Sequence, residues 1–274
     1  MESRAAQWID FSGFADPDLA SDLLFEAGAL GLEEPEGTTG VLRAWFPAEA
    51  IPDLTGSGLV ATGTGSVEAK DWDLSWRLQQ EPIHVTERLV VVPPWVEAPE
   101  GTEFVLTMEA KQAFGTGGHE STRLAAKVLE RLPLEGRKVF DLGAGTGILG
   151  FYTRLLGASQ IDLCDIDPDA IPCLEENAVQ NGITSWKAWA GSIDAVESKP
   201  TWDVVLANML RTEFEPLRRD TLDRMNPGAH LVLSGYLLTE RERMMAWFAE
   251  AGLALEIEES EGEWWAAAVR KTST

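Results

Sequence analysis

Four short runs of this sequence bring together residue types that can do chemistry. In the first, the apolar Val139-Phe140-Asp141-Leu142 leads into Gly143-Ala144-Gly145-Thr146-Gly147. A strand that ends in such a turn lets backbone approach a ligand where a Cβ would clash. Open α/β sheets bind ligands at this carboxyl edge. The second run, Ile161 to Pro168, places Asp165 at the end of the next strand, 22 residues after Gly143. A carboxylate there can accept both hydroxyls of a ribose, while Asp167-Pro168 reads as a helix cap and first helical residue. The third is Ala207-Asn208-Met209-Leu210. The Asn208 amide offers one acceptor oxygen and two donor hydrogens, so it can hold an amine with its lone pair facing an electrophile. The fourth, Ala113 to Thr122, is a glycine-rich loop followed by hydroxyl residues that open a helix. The free N–H groups of such a helix start can hold a carboxylate. His119 within it reads as structural or as a cap, with proton acceptor as the alternative.

The elements that must position these runs follow from pattern. From about residue 104 strands alternate with helices: strands at 138–142, 160–165, 186–190, 202–207 and 229–234, and helices at 120–131, 148–156, 170–181, 212–225 and 239–251. A hairpin over 254–260 and 264–270, turning at Gly262, closes the chain. Alternation of this kind predicts an α/β fold with a parallel sheet covered on both faces and an antiparallel edge. Pro172, early in a helix, removes a bond there. Residues 1–70 read as a small α+β module: a strand at Trp8–Phe11, a helix opened by Asp16-Pro17 and ended by Gly28, a strand at Val41–Phe46, and a loop from Thr55 to Gly65. Residues 71–103 read as a connector rich in tryptophan and proline.

Composition excludes several classes. The net charge over 274 residues is −23, and residues 1–70 alone carry twelve acidic and three basic side chains. Such a surface repels phosphate backbones and attracts basic partners, so no stable complex with nucleic acid is expected. No apolar run approaches the length of a membrane span, and the N-terminus lacks the apolar core of a signal peptide. The expectation is a cytoplasmic monomer without membrane contact. Cys164 and Cys173 are too few for a disulfide framework, and three scattered histidines give no metal centre.

Taken together, the third and fourth runs resemble the bacterial ribosomal protein L11 methyltransferases. That family reads Ala-Phe-Gly-Thr-Gly-Thr-His-Pro-Thr-Thr where this chain has Ala113 to Thr122, with Glu120-Ser121 here in place of Pro-Thr. The Asp-x-Gly-x-Gly-x-Gly and Asp-Ile-Asp-Pro runs recur, as does Asn-Ala-x-x-Asn-Gly at Asn177 to Gly182; the family's Asn-Ile-Leu is Asn208-Met209-Leu210. The resemblance spans about residues 71–245. It implies a Rossmann-like class I methyltransferase domain over 104–274, joined through 71–103 to an N-terminal substrate-recognition domain over 1–70. It also implies S-adenosylmethionine (SAM) as cofactor, lying over Gly143 and Gly145, with Asp165 on the ribose, Thr122 on the loop side and Asn208 beside the transferring methyl group. The implied reaction is N-methylation of lysine or N-terminal amines on ribosomal protein L11; the acidic charge, which bare RNA would repel, favours L11 in its free form. The alternatives are a related protein-lysine methyltransferase with another substrate and a dinucleotide-dependent dehydrogenase, since Gly145-x-Gly147-x-x-Gly150 with Asp165 also matches that fingerprint.

Overall fold

The computed structural model describes residues 6–13, 20–21, 23–24, 27–29, 31–33, 35, 38, 40–47, 52, 58–67, 81–108, 117–195 and 200–272. The expected helix start at Asp16-Pro17, the tryptophans at 72 and 76 and the glycine-loop residues 113–116 lie outside them. The chain divides into two compact units, Met1–Gln80 and Glu81–Thr274.

In the first unit β1 (Ala6–Ser12), β2 (Gly31–Glu33), β3 (Leu42–Pro47) and β4 (Val60–Val67) form a sheet in the order β2-β3-β1-β4. Leu42, Ala44 and Phe46 alternate into its core against Phe11, Ala20 and Leu24, the period-2 pattern of a half-buried strand. Arg43 faces Asp10 across the β1–β3 ladder and binds it through two hydrogen bonds of 2.7 and 3.0 Å. The stretch expected as a loop carries β4 instead. Its glycines are used by packing: a Cβ at Gly65 would sit 2.5 Å from the Trp8 indole, which lies across the strand.

The second unit begins with strands where a connector was expected. β5 (Ile83–His84) pairs antiparallel with β6 (Leu89–Val92), and β6 pairs parallel with β7 (Phe104–Thr107). α1 (Glu120–Glu130) follows, then β8 (Lys138–Leu142), α2 (Ile148–Leu155), β9 (Gln160–Asp165), α3 (Ala170–Gln180), β10 (Trp186–Ala190) and β11 (Trp202–Asn208). The chain continues through α4 (Arg211–Phe214), α5 (Arg218–Asp223), β12 (Met225–Leu237), α6 (Arg241–Glu250), β13 (Leu253–Glu261) and β14 (Trp264–Lys271). The helix expected over 212–225 is broken at Glu215–Leu217 into a tighter 3₁₀ turn, at Pro216. Pro172 is accommodated because α3 starts at Ala170: its missing N–H falls in the first turn, where no intrahelical acceptor exists. Asp167 does not cap that helix. Its Oδ1 accepts from the Asp169 N–H at 2.9 Å, closing a local turn, and Asp169 holds the cap position.

The large sheet runs β10-β9-β8-β11-β12-β14-β13, with β14 antiparallel to both neighbours. This is the Rossmann-like architecture that the resemblance implies. Its central strands are buried on both faces. Val204 and Leu206 of β11 enter one core with Leu124, Leu149 and Leu174 from α1, α2 and α3. Val205 and Ala207 enter the other with Phe214, Met244 and Phe248. Phe140 stacks against Trp202 and Trp189, with centroids at 4.2 and 5.5 Å, and full burial of the Phe140 ring contributes about 2–3 kcal/mol. Strand order reverses at β8, which lies between β9 and β11, so the crevice for a ligand opens beyond its end.

Candidate active site

β8 ends at Leu142, and the backbone turns at once. The Gly143 and Ala144 N–H groups both donate to the Cys164 carbonyl at 2.9 Å, pinning the turn to β9. Gly143 has φ +76°, and a Cβ there would lie 2.8 Å from the Met209 methyl. Gly147 caps α2 with φ +82°. The turn is held from the next strand too: Asp165 Oδ2 accepts from the Gly145 N–H at 2.8 Å, and Oδ1 accepts from the Asp167 N–H at 3.0 Å. Each oxygen keeps lone pairs for a hydroxyl donor.

On the opposite wall, α1 opens with His119 as its cap, the ring Nδ1 accepting from the Ser121 N–H at 3.2 Å. The ring packs edge-on against Trp264 at 4.8 Å, and both side chains line the cavity between the two walls. Thr122 is buried one residue further on, and its Oγ1 accepts from Asn208 Nδ2 at 3.4 Å. Asn208 ends β11. Its Oδ1 is shielded from solvent and has no hydrogen-bond partner, a state costing about 1–3 kcal/mol unless a ligand supplies a donor.

Thr122, Gly143, Gly145, Asp165 and Asn208 all line one cavity of about 800 Å³, the size of a small-molecule site. Residues separated by up to 86 positions in the chain converge there. Sequence reasoning missed three others. Asp141 lines the cavity while fully buried, its Oδ2 accepting from the Gly150 N–H at 2.9 Å. Burial pushes its carboxyl up to about 7, and the nearby Asp165 charge adds to the rise while the Gly150 bond opposes it. A charged residue inside an otherwise apolar strand was the available signal. Ser234 and Gly235 of β12 stand beside Asn208 and Met209, with no local sequence signal beyond a glycine in a strand.

The lining shows which ligand fits. Among the described residues it holds the carboxylates of Asp141, Asp165 and Glu213, and no lysine or arginine. Such a cavity favours a ligand with net positive charge, as a sulfonium compound has, and disfavours the diphosphate of a dinucleotide.

Comparison with known proteins agrees. The model of the family described as ribosomal protein L11 methyltransferase matches residues 49–272. The chain belongs to this family. A ribosomal protein L11 methyltransferase from Pelobacter propionicus is 37% identical over 251 residues, covering 88% of this chain and 77% of that protein. One from Deinococcus radiodurans is 36% identical over 230 residues, covering 80% of each. The crystal structure of ribosomal protein L11 methylase from Lactobacillus delbrueckii subsp. bulgaricus superposes with a TM-score of 0.65 at 25% identity, covering 70% of this chain and 100% of that one. The protein is therefore a SAM-dependent methyltransferase, and Gly145-x-Gly147-x-x-Gly150 is not a dinucleotide fingerprint. No helix among the described residues is long and apolar enough to cross a membrane.

Proposed function

We propose that this L11 methyltransferase family member methylates amino groups, lysine or N-terminal, on ribosomal protein L11. The observation that carries this reading is Asn208 at the end of β11, which lines the cavity and whose buried Oδ1 has no hydrogen-bond partner. When bound, SAM supplies a methyl group already activated by a sulfonium. Three tasks of the chain's own residues concern the cofactor. Gly143 and Gly145 give backbone close access, the Asp165 carboxylate accepts from the ribose hydroxyls, and Thr122 contacts the cofactor from the α1 side. The nucleophile must arrive neutral, whereas a free lysine has a pKa of about 10.4. Its proton leaves to water at the cavity mouth, helped by loss of solvation as the amine enters. Asn208 Oδ1 accepts a hydrogen bond from the neutral amine and turns its lone pair along the line of displacement; such alignment is the main catalytic contribution left to the protein.

L11 comes to this chain from the names of its relatives and from charge. A protein with net charge −23 steers a basic polypeptide inward and is repelled by exposed RNA, which favours free L11 over the ribosome. Residues 1–70 would hold the substrate, as a recognition module separate from the catalytic one. The test uses methyl-labelled SAM, purified L11 and intact ribosomes, followed by hydrolysis and chromatography of the labelled amino acids. Label in N-methyl-lysine or an N-methylated terminal residue, faster on free L11, is expected. Label in another amino acid sinks the amine assignment, and unlabelled L11 beside SAM-binding enzyme sinks the substrate. Faster labelling of ribosomes sinks the free-form preference alone.

A further inference from the structure

We propose that Ser234 is a positioning residue for methyl transfer, acting through Asn208; this rests on the role given to Asn208 above. Ser234 is fully buried in β12 and makes two bonds to two different walls of the cavity. Its Oγ–H donates to the Ser121 carbonyl, at the start of α1, at 2.7 Å. Its own carbonyl accepts from the Met209 N–H, at the end of β11, at 3.1 Å. Ser121 precedes Thr122 and Met209 follows Asn208, so the two bonds bracket the 3.4 Å contact from Asn208 Nδ2 to Thr122 Oγ1. The ring Ser234–Ser121–Thr122–Asn208–Met209 closes on itself across three elements.

Gly235 completes the clamp. With φ +84°, it brings its backbone so close to Met209 that a Cβ would lie 2.8 Å from the Met209 oxygen, 3.0 Å from its carbonyl carbon and 3.1 Å from its nitrogen. These are backbone atoms, so no rotamer change relieves the contact. The β12–β14 register shifts between Leu233 and Tyr236, where this pair sits, as at a bulge that re-aims a strand.

The clamp sets the spacing between the Asn208 amide and Thr122 Oγ1, which accepts from Nδ2. At 3.4 Å the Nδ2 contact is already long for a hydrogen bond, so a small shift of the α1 start against β11 breaks it. The amide is then free to rotate, and Oδ1 no longer points one way. Ser234 bonds to the Ser121 carbonyl and the Met209 N–H and touches no reacting atom; it holds in place the acceptor that does.

The test is a double-mutant cycle on the full chain with L11 and saturating SAM. Ser234→Ala is expected to lower kcat about tenfold, within the roughly hundredfold that a misplacement of about 1 Å produces, with the SAM Kd changed less than about threefold. The decisive readout is the double variant. If Ser234 acts through Asn208, Ser234→Ala adds no further slowing, beyond about twofold, to Asn208→Ala. A purely structural loss would multiply with it. Ser234→Cys, which fills the space with a weak donor, should slow turnover in the same way and serves if the alanine variant does not fold. Unchanged kcat in both Ser234 variants, or slowing that multiplies with Asn208→Ala, overturns the proposal. An Asn208→Ala enzyme as fast as the unaltered one overturns the Asn208 role instead, and Ser234 with it.

Discussion

Replacing Asp141 by asparagine should stabilise the cofactor-free protein, and the gain should grow with pH. The Asp141 carboxyl is fully buried, and burial raises it from 3.8 to about 7. An acid whose pKa is higher folded than unfolded weakens the fold above the unfolded value. The penalty grows from about pH 4 to about pH 7 and then levels off. About three pKa units correspond to about 4 kcal/mol once the group is ionised. The amide introduced by Asp141→Asn would keep an acceptor for the Gly150 N–H at the same place and cannot ionise. The constant cost of its extra donor cancels when one compares pH values. The stability difference between Asp141→Asn and the unaltered protein should therefore rise by about 2 kcal/mol from about pH 5.5 to about pH 8.5. Urea unfolding followed by tryptophan fluorescence measures it directly. A difference that stays level between the two pH values, within about 0.5 kcal/mol, would refute the buried-carboxylate argument.

Other expectations follow from single contacts. Gly147→Ala forces a Cβ onto φ +82° and within 2.6 Å of Leu174 and Phe151 side chains. It should cost about 3 kcal/mol, from backbone strain and overpacking together, seen as a lower urea midpoint. Trp202→Phe removes the 2.8 Å bond from Nε1 to the buried Asp162 and should cost about 2 kcal/mol, with turnover per folded molecule unchanged. Raising the salt concentration should lower kcat/KM for L11 and leave kcat nearly constant, because the steering charge of −23 is screened; a salt-independent kcat/KM would remove the charge argument.

Much of the catalytic unit was legible because its signals are local. The runs 138–142, 160–165 and 186–190 coincide with β8, β9 and β10, since short, mainly apolar stretches between turn signals and helical stretches read as strands of an alternating α/β chain. Thr122, Gly143, Gly145, Asp165 and Asn208 share one cavity because each sits at a strand end or helix start, where pattern marks the chain. What was missed depends on neighbours far away in sequence. Ser234 and Gly235 matter through Ser121 and Met209, and no local rule pairs them. β4 looked like a loop because Gly63 and Gly65 are poor strand residues; Trp8 on β1 makes Gly65 the fitting choice. Pro172 looked like a fault because a shift of one or two residues at a helix start changes what a proline costs.

The most direct test is intact-protein mass spectrometry of purified L11 after incubation with this enzyme and SAM, beside an Asn208→Ala control that binds SAM equally well. Mass gains in whole methyl units are expected with the unaltered enzyme, and gains about a hundredfold slower or absent with the control. Equal gains from both enzymes would contradict the role assigned to the Asn208 amide.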